Sequence, residues 1–519
     1  MYPGDHASAD PDKVAHIMAA TGQVVTYREL DRRSSCLAKL LRRAGLSEGS
    51  HLAVFMDNNI HYLEVCWAAL RSGLYLTPIN SHLKAAEVAY ILDDCNTESV
   101  ITSTTLLPTA AEALSLMHNS NKVKIKLSAG GTGEGFQDYE EAVDSTERLE
   151  QSEESLGELM LYSSGVTGKP KGIKRPLKGA PATEGLAISA LMRAHYGIDT
   201  DTIYMSTAPL YHAAPLGFCI GVQTIGGTVV IVEHFDPEDS LRSIERYGIT
   251  HSQWVPTMFV RMLRLPETVK QSYDLSTHKV AIHAAAPCPP EIKEQMMEWW
   301  GPILYEYYGG SEFNGFTNIP PGEWLTHRGS VGRASFGEIH ILDDEGNELP
   351  AGETGTIYFA DGGQFEYHND PEQTARSRTR QGWTTIGDVG YMNDEGYLYL
   401  TDRKADMVIS GGVNIYPKEV EDVLIMHPLI DDVAVIGVPD EERGEVLKAI
   451  VTLRHDGDTK TTAPPGLEKQ VIDWSRDRLS HYKCPRSVDI VDELPRSPTG
   501  KLYKRLLRDR YWQGHNSKI

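Results

Sequence analysis

A regular alternation of helical and strand patterns runs through the first four-fifths of the chain and constrains its fold more than any other feature. The segment Thr26–Gly45 starts on a threonine, carries a Leu/Ala stripe and stops on a glycine, which is typical of an amphipathic helix. Strand patterns at 51–58 and 74–80 flank a second helical pattern at 61–73. Because such alternation is typical of α/β proteins, and 519 residues exceed a single core, we expect an α/β fold of at least two domains.

The pattern changes near residue 337, where the segment 337–360 predicts strand, turn and strand, and therefore a β-rich subdomain. The segment 397–412, "YLYLTDRKADMVISGG", joins an aromatic strand to a charged cluster and a glycine pair, which indicates a domain boundary. Beyond it, helix and strand patterns continue over roughly a hundred residues, enough for a small domain. We predict a large N-terminal domain, 1–402, of α/β subdomains plus the β-rich subdomain, and a small α+β C-terminal domain, 403–519, whose mobility is implied by the family resemblance given below.

The stretch "LYSSGVTGKPKGIKRP", 161–176, combines hydroxyl side chains, glycines and lysines in one loop. Hydroxyls, bare backbone N–H groups and ammonium groups are the partners that a polyphosphate requires. A flexible surface linker is the alternative interpretation. A linker needs no lysines at these positions, and it would not follow an apolar run that predicts a buried strand. The loop therefore indicates phosphate binding.

This loop fits neither of two common phosphate-binding patterns. A Walker loop has four residues between its glycines and leads into a helix, whereas two residues separate Gly165 from Gly168, and Pro170 disfavours a helix at this point. The run most similar to a Rossmann fingerprint, "SAGGTGEGF" at 128–136, lacks the third glycine at the needed offset. It continues into an acidic stretch, and we interpret it as a linker. The sequence predicts a phosphate loop of another kind.

Composition argues against several classes of partner. The formal net charge of -22 disfavours nucleic acid, which basic surfaces bind, although a local basic loop can still bind a nucleotide. The six cysteines form no CxxC pair and no metal spacing, so we interpret them as reduced thiols of a cytoplasmic protein. The uncharged run Ala213–Val232 is about long enough to span a membrane, but its glycines and polar residues favour a buried helix followed by a buried strand. We expect neither a membrane span nor a signal peptide.

Further motifs follow the phosphate loop along the chain. Glu312 comes after two glycines in "EYYGGSEFNG", Asp388 stands in a glycine-flanked turn of "GWTTIGDVG" with Arg403 downstream, and Lys501 lies on the turn "PRSPTGK". Each motif alone is weak, since Asp388 can be a turn residue and Glu312 a solvated acid. A hydrolase nucleophile elbow is excluded, because it needs glycine at the position of Phe313.

Taken together and in this order, these motifs resemble those of the adenylate-forming superfamily, which includes acyl-CoA synthetases, peptide-synthetase adenylation domains and firefly-type luciferases. "YSSGVTGKPKG" is similar to its phosphate loop, "YYGGSE" to its Tyr-Gly-x-Ser/Thr-Glu motif, and "GWTTIGDVG" to its ribose-binding motif. "DRKADMVISGGVNIYPKEVE" resembles its interdomain hinge in the form found in acyl-CoA ligases, and "PRSPTGK" resembles its C-terminal lysine motif. The resemblance spans nearly the whole chain.

The resemblance implies an AMP-forming acid–thiol ligase that converts a carboxylate and ATP to an acyl-adenylate and then transfers the acyl group to coenzyme A. It assigns Mg²⁺ to Glu312, and Mg²⁺ indeed prefers a carboxylate together with phosphate oxygens. It assigns the catalytic roles to Lys501, Glu312, Thr167 and His212. The implied phosphate-binding residues are Ser163, Ser164, Gly165, Thr167, Gly168, Lys171 and Ser311. The implied nucleoside-binding residues are Ala285, Ala286, Tyr308 and Gly309 at adenine, and Asp388 and Arg403 at ribose.

The resemblance also implies that the C-terminal domain acts in both half-reactions. Lys501 would bridge the carboxylate and the α-phosphate in the first. Rotation of the domain would then withdraw Lys501 and bring Gly411 and Gly412 to the site, where residues without Cβ let pantetheine pass close to the backbone. Tyr482 and Arg486, with Lys483 between them, would meet the nucleotide end of coenzyme A, or form an ordinary solvated basic turn.

The implied acyl pocket alternates small and aromatic residues, so we expect a bulky apolar acid: fatty, aryl, steroid-like or terpenoid. His212 would gate or border this pocket, and the alternative is a buried, hydrogen-bonded histidine. The implied pocket residues are Tyr211, His212, Ala213, Ala214, Trp254, Tyr307, Gly309, Phe313 and Asn314.

Three positions depart from the family pattern: Val166 stands where threonine is usual, Ala405 where Asp or Lys is usual, and Glu306 where other polar residues are common. Val166 removes a hydroxyl from the phosphate cradle and Ala405 a polar side chain from the pivot. One alternative is therefore an enzyme weak in adenylation that mainly thioesterifies a preformed acyl-adenylate. Two others are an adenylation enzyme that loads a carrier protein and a nucleotide-binding regulator with a degenerate site. We expect a monomer or a homodimer.

Overall fold

The computed structural model describes residues 2–164, 170–403, 406–411, 413–440, 442–454, 463–496 and 502–512. The side chains at 163, 164, 402, 403 and 414 lie outside this description.

The first thirteen strands are β1 (Val14–Met18), β2 (Val24–Thr26), β3 (His51–Phe55), β4 (Tyr75–Pro78), β5 (Ser99–Ser103), β6 (Ile125–Ala129), β7 (Gln137–Asp138), β8 (Glu158–Ser164), β9 (Pro170–Lys174), β10 (Ile203–Ser206), β11 (Thr228–Ile231), β12 (His251–Trp254) and β13 (Val280–His283). The following strands are β14 (Leu304–Tyr308), β15 (Phe316–Ile319), β16 (Ser330–Phe336), β17 (Glu338–Leu342), β18 (Gly355–Ala360), β19 (Glu366–Tyr367), β20 (Asp388–Met392), β21 (Leu398–Arg403), β22 (Val408–Ser410), β23 (Val413–Ile415), β24 (Ile430–Asp440), β25 (Gly444–Leu453) and β26 (Ser487–Ile490).

The α-helices are α1 (Pro3–Ala9), α2 (Tyr27–Arg43), α3 (Tyr62–Leu70), α4 (Ala85–Asp94), α5 (Leu107–Leu116), α6 (Tyr139–Asp144), α7 (Ile188–Tyr196), α8 (Ala213–Ile225), α9 (Pro237–Tyr247), α10 (Pro256–Leu263), α11 (Glu267–Lys270), α12 (Pro290–Trp300), α13 (Pro321–Trp324), α14 (Pro371–Arg376), α15 (Pro417–Ile425), α16 (Leu467–Arg476) and α17 (Lys504–Tyr511).

Two large sheets make up the N-terminal part of the molecule. The eight-stranded sheet has the order β19-β9-β8-β4-β3-β5-β6-β7, in which β8, β4, β3, β5 and β6 run parallel. The thirteen-stranded sheet has the order β17-β18-β20-β21-β16-β15-β14-β13-β12-β10-β11-β1-β2, with parallel pairing from β14 to β1. Its other end, from β15 to β17, is antiparallel and contains the strands predicted within 337–360. The predicted α/β fold with a β-rich subdomain is confirmed.

Local sequence signals explain the helices that support these sheets. Thr26 caps α2, since its hydroxyl accepts from the Glu29 N–H at 3.3 Å while the Glu29 carboxylate accepts from the Thr26 N–H at 2.8 Å. The uncharged run folds as α8 and β11, as predicted, and α8 ends at Gly226 in the left-handed conformation. The helices α2, α3 and α8 pack into one apolar core with strands of both sheets. None of the described helices has the length and apolarity that crossing a bilayer requires.

The run "SAGGTGEGF", which we interpreted as a linker, forms the end of β6 and the loop between β6 and β7, and the acidic stretch after it is folded. That stretch forms the edge strand β7, parallel to β6, and the short helix α6. The side chain of Asp138 caps α6 by accepting from the Glu141 N–H at 2.8 Å, and Tyr139 and Val143 are buried in the large core. Together with Leu149, which is buried in the same core, these residues anchor the segment, but they are too few for a hydrophobic period to be visible in the sequence.

A third sheet forms the C-terminal part of the molecule, with the order β23-β22-β25-β24 and β26 beside β25. Helices α15 and α16 pack in one of its apolar clusters and α17 in another, and both clusters are separate from the cores of the large sheets. The chain passes from β21 of the thirteen-stranded sheet to β22 of this sheet between Arg403 and Val408. The predicted α+β architecture of the C-terminal part is confirmed.

Candidate active site

The carboxyl ends of four parallel strands, β10, β12, β13 and β14, lead into loops at one edge of the thirteen-stranded sheet. In parallel sheets this edge is where the loops after successive strands meet and where ligands bind. Residues from all four loops line one cavity of about 1290 Å³, which also reaches β8, β9 and the C-terminal part. This cavity is the candidate active site.

The predicted phosphate loop connects two antiparallel strands that form one wall of the cavity. Strand β8 ends at Ser164 and β9 begins at Pro170, and Ser163 lies opposite Lys171 in the register of the pair. A strand, not a helix, follows the loop, as Pro170 predicted. The loop residues Gly165, Val166, Thr167, Gly168 and Lys169 lie outside the described residues, and Ser163 and Ser164 are described by their backbone alone.

The Lys171 side chain lines the cavity beside the hairpin. Its Nζ lies 3.6 Å from the Asp370 carboxylate and 5.7 Å from the centroid of the Tyr367 ring. A cation held by one partly exposed carboxylate and an aromatic face suits an anionic ligand in the cavity.

Glu312, the predicted magnesium ligand, is buried in the cavity wall after β14. Its Oε1 accepts a hydrogen bond from the Tyr367 hydroxyl at 2.9 Å. A Cβ at Gly310 would lie 2.7 Å from Oε2 and 2.9 Å from the Ile386 side chain, so the glycine leaves room that any other residue would fill. No cluster of three or more His, Cys, Asp or Glu side chains suitable for a metal occurs in the described part of the chain. A carboxylate of this kind fits Mg²⁺ only when phosphate oxygens complete the ligand set.

The predicted nucleoside-binding residues come together on one side of the cavity. The Tyr308 hydroxyl donates to Oδ2 of Asp388 at 2.9 Å, and Asp388 lies opposite Arg403 in the register of β20 and β21. The Arg403 side chain lies outside the described residues. Ala285 and its neighbour Ala286 line the cavity, and Ala285 has a φ of +75°, a conformation that costs an L-residue about 1–2 kcal/mol. Strain of this kind is concentrated in ligand-binding loops.

Most of the residues predicted for the acyl pocket also line the cavity. They are Tyr211, His212, Ala213, Ala214, Trp254, Tyr307, Gly309 and Phe313, and Ser311 lines it as well. His212 stands directly before α8 and its ring centroid lies 4.4 Å from that of Tyr211. The ring of Trp254 is held in place because its Nε1 donates to Ser252 Oγ at 2.6 Å. The pocket wall is therefore built from the residues that follow β10, β12 and β14.

Asn314 is the exception, because the structure places it outside the cavity wall. Its side chain is buried and its Nδ2 donates to the carbonyl and the hydroxyl of Thr384, each at 3.3 Å. The chain turns at Phe313, which has a φ of +53°, so the Phe313 ring lines the cavity and Asn314 contacts the β-rich end of the sheet. The assignment of Asn314 to the acyl pocket was wrong.

Two site residues escaped the sequence analysis. Tyr367, which contacts Glu312, lies in a short strand far from any motif, and no sequence signal indicated it. Gln253 lines the cavity next to Trp254, and its side chain joins the hydroxyls of Tyr204 and Tyr307. A glutamine inside a strand that is otherwise buried was a signal that we did not use.

Glu306, which departs from the family pattern at the Tyr-Gly motif, forms a buried ion pair at the floor of the cavity. Its Oε2 lies 2.7 Å from Lys293 Nζ and 3.5 Å from His283 Nε2, and the Lys293 side chain is fully buried against Trp324. Burial raises the pKa of the Glu306 carboxyl and lowers the pKa of the Lys293 ammonium. The charge of Lys293 on α12 therefore compensates for the buried charge of Glu306 on β14.

The C-terminal part closes one side of the cavity. Residues on both sides of 497–501, namely Arg496 and Leu502, line the cavity, while Lys501 itself lies outside the described residues. Arg264, which follows α10, forms an ion pair with Asp431, donates to the Asp431 carbonyl at 2.9 Å and approaches the Ile430 carbonyl at 3.4 Å. This guanidinium joins the N-terminal part to the C-terminal sheet.

The residues predicted for the thiol step lie elsewhere in this pose. Gly411 and Tyr482 share a smaller cavity on the C-terminal part with Arg443, away from Glu312 and Asp388. Gly411 has a φ of +57° and open space where a Cβ would stand. Arg486 is exposed and does not line either cavity, and Lys483 forms an ion pair with Glu419 at 2.7 Å. Gly412 lies outside the described residues, as does Ala405.

Comparison with known proteins gives matches over almost the whole chain. The family model described as AMP-binding enzyme matches residues 4–366, and the model described as AMP-binding enzyme C-terminal domain matches residues 419–501. The chain is 32% identical to a feruloyl-CoA synthase of Amycolatopsis sp, over 94% of this chain and 94% of that protein. It is 31% identical to the 3-[(3aS,4S,7aS)-7a-methyl-1,5-dioxo-octahydro-1H-inden-4-yl]propanoyl:CoA ligase of Rhodococcus jostii, over 94% and 95%. ATP-bound MatB from Rhodopseudomonas palustris superposes with a TM-score of 0.81 at 27% identity, covering 98% of this chain and 99% of that chain.

The buried pair Lys293–Glu306 generates a stability prediction. We expect Lys293→Met to destabilise the N-terminal part by about 3–5 kcal/mol, because it leaves a carboxylate without its partner in the core. The double variant Lys293→Met/Glu306→Gln should recover most of this loss. Urea denaturation followed by tryptophan fluorescence measures the effect as a shift in midpoint, and equal shifts in the single and double variants would contradict the prediction.

Proposed function

This chain belongs to the AMP-binding enzyme family of the adenylate-forming superfamily and is an AMP-forming acyl-CoA ligase, and we propose that its acid is bulky and largely apolar. The wall of the acyl side of the cavity carries this proposal. The rings of Tyr211, Trp254, Tyr307 and Phe313 stand beside small residues such as Ala213, which leaves wide apolar space. Two relatives are named for cyclic acyl groups, a feruloyl group and a methylated dioxo-octahydroindenyl propanoyl group, and both support it.

In the first half-reaction, an oxygen of the acid's carboxylate attacks the α-phosphorus of ATP, and the bond from that phosphorus to the leaving pyrophosphate breaks. The hairpin loop, with Lys171 beside it, would hold the β- and γ-phosphates, and Ser311 would donate to the α-phosphate. Glu312 would hold a Mg²⁺ ion, whose charge disperses that of the phosphates. Lys501 would neutralise charge where the carboxylate meets the α-phosphate. These groups act by position and electrostatics.

The nucleoside would be held by residues that the fold already brings together. Asp388 would accept from the ribose hydroxyls, and its bond from Tyr308 orients that carboxylate. Arg403, opposite Asp388 in the sheet, would assist. The loop with Ala285 and Ala286 offers adenine two small side chains and backbone polar groups.

In the second half-reaction, the thiol of coenzyme A attacks the acyl carbon, and AMP leaves with the electron pair of the broken C–O bond. The face of the C-terminal part that carries Gly411 would then replace the face that carries Lys501, by rotation about the segment near 403–406. Tyr482 shares its small cavity with Gly411, so the two would reach the same part of coenzyme A. Arg486 would contact the nucleotide end from the exposed surface.

The test is a mass-spectrometric screen of carboxylic acids with ATP, Mg²⁺ and either coenzyme A or a holo-carrier protein. We expect acyl-AMP and acyl-CoA from cyclic or long apolar acids. Acylation of the carrier protein alone would favour the carrier-loading alternative. Slow pyrophosphate release together with rapid acyl-CoA formation from synthetic acyl-adenylate would favour the alternative suggested by Val166 and Ala405, an enzyme that is weak in adenylation and mainly thioesterifies a preformed acyl-adenylate.

Lys501→Ala should abolish acyl-adenylate formation far more than thioester formation from supplied acyl-adenylate. Its ammonium acts only where the carboxylate meets the α-phosphate, and loss of one such group costs about 3 kcal/mol, roughly a hundredfold in rate. The measurements are pyrophosphate release and acyl-CoA formation from synthetic acyl-adenylate. An equal loss in both half-reactions would contradict this role.

Gly411→Leu should do the reverse, sparing pyrophosphate release and blocking thioester formation. In the described pose a Cβ at this position meets open space, so the protein should fold with only the cost of a left-handed leucine, about 1–2 kcal/mol. The branched side chain would obstruct the thiol once the domain rotates. The same two assays apply, and acyl-CoA formation at the wild-type rate would show that Gly411 is only a turn residue.

Arg264→Ala should slow adenylation and leave thioester formation from supplied acyl-adenylate nearly unchanged. The guanidinium contacts Asp431 and Ile430 in the pose where the C-terminal part closes the cavity. Because the ion pair is partly exposed, we expect its loss to change the free-energy difference between the two poses of the C-terminal part by less than about 1 kcal/mol. This changes the ratio of the two poses a few-fold. The control is Arg242→Ala, an exposed arginine paired within its own helix. An effect of equal size in the control would refute the assignment.

A further inference from the structure

A stack of aromatic rings fixes the position of the Tyr307 hydroxyl. The Tyr307 ring is stacked on Phe316 with centroids 4.8 Å apart and on Phe218 at 5.7 Å, and Phe218 is stacked in turn on Tyr204 at 6.2 Å. Tyr204 is fully buried, and Tyr307 is 8% exposed and lines the cavity. A ring held between two others has little freedom, so its hydroxyl is preorganised.

Gln253 joins the two tyrosines by hydrogen bonds. The Tyr204 hydroxyl donates to Gln253 Oε1 at 3.2 Å, and Gln253 Nε2 donates to the Tyr307 hydroxyl oxygen at 3.3 Å. Gln253 is 6% exposed and also lines the cavity. The amide is therefore oriented by Tyr204 from the core side and presents its nitrogen to Tyr307 at the cavity wall.

This chain of bonds ends in two donor hydrogens, one on Tyr307 and one on Gln253, at the cavity wall. The Tyr307 oxygen accepts from Gln253, and its own hydrogen finds no acceptor among the described residues. One amide hydrogen of Gln253 Nε2 is likewise without an acceptor in the described part of the chain. Leaving a buried donor unmet is costly, so a network at the wall of a cavity is best satisfied by a ligand.

We propose that Tyr307 and Gln253 form a specificity site that recognises a neutral oxygen on the acid, at a position remote from its carboxylate. The inference rests on the proposed function and narrows its substrate class, from bulky apolar acids to bulky apolar acids that carry a ketone, hydroxyl or ether oxygen.

The surroundings favour a neutral oxygen over a charged one. Phe316 and Phe218 cover the two faces of the Tyr307 ring, and both donors are neutral. A second carboxylate beside Tyr307 and Gln253 would lose its hydration, and neither of these two donors supplies it with a positive charge. A neutral oxygen loses less on desolvation, and it gains one or two hydrogen bonds from groups that already have fixed positions.

The register of β14 directs this site to the acyl side. Successive side chains of a strand point to opposite faces. Tyr308 contacts Asp388 on the nucleoside side, and Glu306 contacts Lys293 below it. Tyr307, between them, faces the other way and meets Gln253. The donors therefore face the acyl group and not the nucleotide.

The test compares matched pairs of acids that differ by one oxygen, such as para-hydroxycinnamate and cinnamate, or an oxo-substituted cyclohexaneacetate and cyclohexaneacetate. The kcat/KM for acyl-CoA formation is measured in the wild type, in Tyr307→Phe and in Gln253→Met. The corresponding acylsulfamoyl adenosines, which mimic the adenylate and do not react, give the Kd of each pair by calorimetry. We expect the wild type to favour the oxygenated member of at least one pair by about 10- to 100-fold.

Tyr307→Phe should bring this ratio close to one by weakening use of the oxygenated acid more than use of its deoxy partner. Gln253→Met should act in the same direction. Tyr305→Phe is the matched control, because Tyr305 lies on the same strand, packs edge-on against Tyr196 and does not line the cavity. Its ratio should equal that of the wild type, and ATP binding in all variants verifies the fold.

Two results would overturn the inference: a ratio near one in the wild type for every pair that is converted, or an unchanged ratio in Tyr307→Phe. Conversion of no acid to acyl-AMP or acyl-CoA would instead refute the proposed function. The Kd values of the acylsulfamoyl adenosines then still decide the inference on their own, because binding of the oxygen does not require turnover.

Discussion

The hydrogen-bond register among the parallel strands β12, β13 and β14 is the constraint on which the site depends. It places Trp254 level with His283 and His283 level with Glu306, so the residues that follow each of them enter the same cavity. A slip of one residue in any pair would turn every side chain of that strand to the other face. Because both faces of a parallel sheet are buried, burial alone does not fix this register, and a slip would instead break the polar contacts across the strands, such as the hydrogen bond between Gln253 and Tyr307.

Strand β14 shows how the register determines which contacts each of its side chains makes. Along β14, Glu306 pairs with Lys293 in the core, Tyr307 meets Gln253 at the acyl side, and Tyr308 orients Asp388 for the nucleoside. Three adjacent residues thus make the contacts on which the stability, specificity and nucleotide-binding proposals rest, since successive side chains alternate between faces. The glycines that follow let Glu312 fold back into the cavity wall, where Gly310 leaves room beside its carboxylate.

The sequence was sufficient for those parts of the structure that local rules govern. Pro170 predicted a loop without a following helix, and the Thr26 and Gly45 signals marked the ends of α2. It failed where contacts join distant segments. Tyr367 reaches Glu312 across 55 positions, and Asn314 turns away from the cavity because Phe313 adopts a left-handed conformation that no residue type announces. The local sequence pattern indicates which residues are buried and whether they belong to a helix or a strand. Contacts between distant segments depend instead on how whole sheets pack together.

The weakness of the contacts between the two parts of the molecule follows from the same architecture. The apolar clusters of the C-terminal sheet have their own cores, only Met426 among the described residues that follow β21 packs against a core of the thirteen-stranded sheet, and Arg264 reaches Asp431 through a partly exposed ion pair. Interfaces of this polar kind permit relative motion of domains, while a buried apolar interface would hold one pose. Under the proposed function, a ligase that presents one face of its small domain to ATP and another to a thiol needs poses of similar free energy. Separate cores would allow that balance, and a contact between the two parts such as Arg264–Asp431 would then bias which pose is favoured.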